Sequence, residues 1–103
     1  PELPRVRIDT LAEKVGPPDA ITMDIEGAEL VALHGAEMTL KNHRPIVWVS
    51  VHPTFMADTI RHRVTDLWDY LRACGYCWRL LDYDHELHVI AWHGAKGTPV
   101  LPW

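Results

Sequence analysis

The run Ile46–Val51, Ile-Val-Trp-Val-Ser-Val, is apolar at five of its six positions. A strand facing water on one side alternates apolar with polar residues, whereas a near-continuous apolar run requires both faces to be covered. This segment is therefore read as a central parallel strand of a sheet with helices on either side. His52 and Pro53 close the strand.

A second strand is expected over residues 20–25, where Ile21, Met23 and Ile25 alternate with Ala20, Thr22 and Asp24. Gly27 and a helix-forming sequence follow at once, which makes a strand-turn-helix junction. Asp24 and Glu26 fall at the carboxyl end of this strand and His52 at the end of the next. Ligands of open α/β sheets bind at the carboxyl ends of strands, so these three residues are the candidate catalytic group.

The remaining segments fit the same architecture. Val6 and Ile8 mark a short extended segment, followed by a brief helix over 11–15 with Asp9 or Thr10 as its cap, stopped by Gly16, Pro17 and Pro18. A helix over 28–42, interrupted at Gly35, would bury Leu33, Ala36 and Leu40 and end before Pro45. Residues 57–74 read as the clearest helix, with Ile60, Val64, Leu67, Trp68 and Leu71 inward, Asp58 or Thr59 as cap and Gly75 as stop. Tyr76–Tyr83 and Leu87–His93 read as an antiparallel hairpin. The order strand, helix, strand, helix, strand, strand predicts an α/β fold, a mostly parallel sheet closed by a C-terminal antiparallel hairpin. Residues 1–93 would form the domain and 94–103 a tail.

Hydrophobic residues at 48% and charged residues at 23% place the chain among globular proteins rather than disordered ones. The net charge of -4 gives no electrostatic reason to bind nucleic acid or an anionic membrane. With no apolar run long enough to span a bilayer and no signal-peptide pattern, a cytoplasmic location is expected. The sequence opens on Pro1, so the chain is expected to be processed or part of a longer one.

Cys74 and Cys77 have the spacing of a redox or zinc motif. Cys74 falls at a helix C-terminus, where the dipole opposes a thiolate, and His85 and His88 follow too closely for the usual zinc pattern. Two buried, unbonded cysteines are expected instead. Trp48, Trp68, Trp78 and Trp92 fit core or hairpin packing, and no shared face unites His34, His43, His62 and His93.

The segments Ile8-Asp-Thr-Leu11, Pro18-Asp19, Met23-Asp-Ile-Glu-Gly-Ala-Glu29, Leu33-His-Gly-Ala36, Arg44-Pro45 and Val51-His52-Pro53 resemble, in that order, the C-terminal half of the FkbM family of methyltransferases. The resemblance implies a partial Rossmann-like methyltransferase fold, S-adenosylmethionine as cofactor, and methyl transfer to a hydroxyl-bearing small molecule or glycan. Thr22 and Ser50 stand where many members carry lysine and glutamate. The family's glycine-rich loop and acidic cofactor residue lie upstream of the matched region, so no cofactor-binding residue is assigned and this chain alone is expected not to be active. Methyl transfer to oxygen benefits from a base. Asp24 could orient the acceptor or bind a metal and His52 could move the proton, but no metal ligands are assigned. Equally, Glu26 or Glu29 could simply favour the start of the following helix, with Gly27 serving the turn. The alternative is a non-catalytic half-domain acting as an assembly or binding module, with a homodimer formed through the exposed edge of strand 20–25.

Overall fold

The computed structural model describes residues 6–25, 27–53, 63–84 and 86–99. Its elements are α1 (Ile8–Val15), β1 (Ala20–Met23), α2 (Glu29–His34), α3 (Glu37–Asn42), β2 (Ile46–Val51), α4 (Val64–Ala73), β3 (Tyr76–Tyr83) and β4 (Leu87–His93), followed by a 3₁₀ turn, Gly94–Lys96. The fold is mixed α/β, with the strands in the order β1-β2-β4-β3. β1 pairs with β2 in parallel, while β4 is antiparallel to both β2 and β3. The expected hairpin is present at one edge. Within these residues, however, the expectation of a mostly parallel sheet is corrected: the returning strand β4 inserts beside β2, so two of the three pairings are antiparallel.

Leu30, Leu33, Ala36 and Leu40 of the 29–42 region and Leu67 and Leu71 of α4 pack with Val47, Val49, Val51, Val89 and Ala91 in a single core. Only one face of β2 is fully closed, because Ile46, Trp48 and Ser50 remain half-buried among the described residues. Two-sided burial was expected from the apolar run. The described helices supply leucines to the closed face, and the other keeps partial solvent contact.

The 28–42 helix divides at Gly35, and the three residues expected to form its buried stripe are fully buried. Asp9 does not cap its own helix, which begins after Arg7 with no side-chain cap. Its carboxylate instead receives the Met38 amide at 3.0 Å, the Thr39 amide at 2.8 Å and the Thr39 hydroxyl at 2.7 Å, so it caps α3 from across the fold. Burial acts to raise the Asp9 pKa, but these hydrogen bonds outweigh it and hold the group below its ordinary value. The start of α1 at Ile8 also replaces the expected extended segment there. At its far end α3 closes on Arg44, whose φ of 58° lets its amide donate to the Thr39 carbonyl at 3.0 Å before Pro45.

The expected 57–74 helix is shorter. Arg63 is extended, and Asp66 accepts its amide at 2.8 Å to start α4 at Val64. Asp58, Thr59 and Ile60 lie outside the described residues. Gly75 ends the helix at a φ of 86°, as expected, and a Cβ there would meet the His93 ring at 2.7 Å. Trp68 stacks on Trp78 with centroids 5.1 Å apart, which joins α4 to the hairpin. Cys74 is buried, its pKa raised by burial, but Cys77 is exposed, which corrects the expectation that both are buried; both are free thiols. Leu101 and Trp103 lie outside the described residues. Among the described residues no helix is long and apolar enough to cross a membrane.

Candidate functional site

β1 stops at Met23 and β2 at Val51, and their parallel pairing brings Asp24 and His52 to the same edge of the sheet. The antiparallel pairing of Val51 with Leu87 then sets Glu86, from the hairpin loop, beside His52. Three chain segments distant in sequence therefore meet at one strand end.

His52 is the hub. Its Nε2 lies 3.1 Å from Asp24 Oδ1 and 3.1 Å from Glu86 Oε1, and its Nδ1 lies 3.3 Å from Glu29 Oε1. The same Glu29 oxygen accepts the His52 backbone amide at 3.0 Å, and Oε2 accepts the Gly27 amide at 2.8 Å. Glu29 is 0% exposed and His52 6%, Glu86 is 18% exposed and the Asp24 side chain 65%. The cluster is thus buried at its base and open at Asp24.

The local sequence explains this arrangement. Gly27 adopts a φ of 101°, a left-handed conformation that glycine enters without cost. That turn allows Glu29, the first residue of α2, to fold its side chain back onto the Gly27 amide while reaching β2. Glu29 stands in the first turn of α2, but its carboxylate is engaged by the Gly27 amide and by His52, and α2 has no side-chain cap. For His52, burial acts to lower the pKa, but the hydrogen bond and charge of Glu29 and the charges of Glu86 and Asp24 prevail, so the imidazole is shifted upward.

Two of the three residues read as catalytic, Asp24 and His52, are brought into contact. Glu26 lies outside the described residues. Sequence reasoning did not place Glu29 and Glu86 in the site. The signal for Glu29 was its position two residues after the turn glycine, and the signal for Glu86 was the hairpin register, which carries it back to the end of β2. A shallow concavity of about 200 Å³ adjoins Asp24, lined also by Thr22, Met23, Trp48 and Ser50. Here the Ser50 hydroxyl sits 3.1 Å from His88 Nδ1, and His88 Nε2 sits 3.3 Å from Asp84.

The sequence profile of the Methyltransferase FkbM domain matches residues 1–77. The chain belongs to the FkbM methyltransferase family. The structure is similar to the crystal structure of Methyltransferase FkbM from Methylobacillus flagellatus KT, with 29% sequence identity and a TM-score of 0.50. The match covers 74% of this chain and 20% of that one, so the chain spans about a fifth of the length of that relative. No curated protein matches the chain. Asp24, Glu29 and His52 fall inside the family match, and Glu86 falls beyond its end.

Membership of this FkbM family implies a methyl donor, yet the described glycines do not form a cradle for one. Gly16 terminates α1 and Gly94 and Gly97 flank the final turn, so neither region joins a strand to a helix. Gly27 does stand at such a junction, but its amide is already taken by Glu29. The described residues therefore do not fit S-adenosylmethionine.

Proposed function

We propose that this chain supplies the acceptor-facing part of an S-adenosylmethionine-dependent O-methyltransferase domain whose complete sheet is Rossmann-like and mostly parallel. The substrate would be a hydroxyl-bearing small molecule or glycan. The reading rests on the 3.1 Å approach of Asp24 to His52 at adjacent strand ends, in a chain of the methyltransferase family.

An acceptor entering from solvent meets Asp24 first, because this is the open side of the cluster. Its hydroxyl would donate to the Asp24 carboxylate, which would hold the oxygen in place and take up its proton; the bound donor would supply the methyl group, its carbon–sulfur bond breaking as the carbon–oxygen bond forms and a neutral thioether leaving. His52 fixes the carboxylate, and buried Glu29 fixes His52. Glu29 is accordingly a positioning residue. The test is a chimera in which residues 1–77 replace the matched segment of the Methylobacillus flagellatus protein, assayed with isotope-labelled methyl donor against a panel of hydroxylated acceptors. Asp24→Asn in that chimera is expected to lower turnover by about a hundredfold or more. Unchanged turnover refutes the role of Asp24. The chain alone is expected to give no saturable heat with S-adenosylmethionine, and clear binding would show that the donor site is present after all.

The outer edge of β1, which borders the described sheet, favours a second reading as a non-catalytic module that associates with another copy through this edge. Light scattering that finds a folded monomer at high concentration would overturn it.

A further inference from the structure

Asp24 Oδ1, His52 Nε2 and Glu86 Oε1 converge on one point at the open end of the sheet. We propose that these three side chains form a binding site for a divalent first-row transition cation of the manganese-to-zinc series.

The first argument is geometric. One ligand atom from each residue lies within 4.8 Å of the other two, and both carboxylate oxygens lie 3.1 Å from Nε2. Ligands about 2.2 Å from a common ion, at right angles to one another, are separated by about 3.1 Å. The two separations from Nε2 therefore match adjacent coordination positions, and the third pair lies within 4.8 Å.

The second argument concerns the histidine and how its ring is held. Metal-bound imidazoles characteristically direct their other ring nitrogen to a carboxylate that fixes ring and tautomer. Glu29 does this from a fully buried position, 3.3 Å from Nδ1, and is itself anchored by the Gly27 and His52 amides. In the neutral tautomer with Nδ1–H directed to Glu29, the Nε2 lone pair lies on the side of Asp24 and Glu86, and the bound cation takes the place of the Nε2 proton that otherwise holds these carboxylates.

The donor set identifies the ion. Two carboxylates favour hard divalent cations, the imidazole favours zinc, iron and nickel over magnesium and calcium, and no thiolate takes part. The exposure of Asp24 leaves the outer side open, so the ion would keep coordination positions for water or for an oxygen of a bound acceptor. Glu86 comes from the hairpin beyond the family match, so the complete ligand set depends on how this chain folds back. The proposal concerns the same site as the methyl-transfer reading but does not need it, because cation binding is measured without donor or acceptor.

The test is calorimetry of the metal-stripped protein with manganese chloride and zinc chloride, with magnesium chloride for contrast. One equivalent is expected to bind with a dissociation constant below about 100 µM, magnesium much more weakly. Asp24→Asn and Glu86→Gln should each weaken binding at least about tenfold, whereas Asp69→Asn, on the exposed face of α4 beside Arg72, should leave it unchanged. Far-UV circular dichroism checks the fold of each variant. Manganese broadening of the His52 ring protons in the unmodified protein provides a readout that needs no variant. Absence of saturable binding by either ion, binding unaffected by both substitutions, or broadening centred on His88 instead of His52 would each overturn the proposal.

Discussion

Glu29→Gln is the substitution that tests the site's foundation most directly. The carboxylate accepts the Gly27 amide on one oxygen, and on the other it accepts the His52 amide and contacts His52 Nδ1. A carboxylate is acceptor-only, whereas a carboxamide of the same shape has one acceptor and one donor end. In one orientation the new NH₂ faces the Gly27 amide, and in the other it faces the two His52 donors. Either way a fully buried donor loses its acceptor, at about 1–3 kcal/mol. A loss of about 2 kcal/mol lowers the melting temperature of a domain this size by about 8–16 °C. Urea unfolding monitored by tryptophan fluorescence, in buffer with chelator, gives the difference directly, with the m-value unchanged. The same substitution removes the strongest upward influence on the His52 pKa and leaves burial pulling it down. A histidine whose pKa is raised on folding stabilises fully below its unfolded pKa, about 6.5, and that contribution fades as pH rises through the folded value. The unmodified protein should therefore lose stability above about pH 6.5 by an amount that shrinks in Glu29→Gln, and the His52 ring titration should move to lower pH. A stability change under about 0.5 kcal/mol, with an unaltered titration, would refute the buried network.

Three further substitutions examine the framework around the site. Asp9→Ala should cost about 1–2 kcal/mol in urea unfolding, because the α3 amides of Met38 and Thr39 lose their acceptor. Since folding depresses the Asp9 pKa, its contribution is present above about pH 4 and fades as pH falls through the folded value, so the variant should show a weaker acid dependence than the parent. Tyr76→Phe removes the hydroxyl that donates to the Pro45 carbonyl at 2.6 Å and should destabilise by about 1–1.5 kcal/mol in thermal unfolding. Gly75→Ala should cost about 1–2 kcal/mol by chemical denaturation, from the left-handed backbone together with displacement of the His93 ring.

Much of this protein was written in local sequence. The hairpin strands and β2 occupy the expected residues, Gly35 divides the helix, and Leu33, Ala36 and Leu40 are buried, because side-chain periodicity and the conformational freedom of glycine act over a few residues. The family, too, follows from a short ordered set of motifs that needs no coordinates. What sequence alone left open is every pairing between distant segments. Asp9 is an ordinary cap for α1 in sequence and an actual cap for α3 in space. Apolar residues on both sides of β2 predicted two-sided burial, yet among the described residues only one of its faces is fully closed. Strand order decided the site as well: insertion of β4 beside β2 brings Glu86 to His52, and the turn at Gly27 lets Glu29 hold the ring from beneath. Local composition sets what each segment can become. The register of the sheet, set by burying one face of β2 and the middle of β4 against the helices, decides which of its polar ends meet.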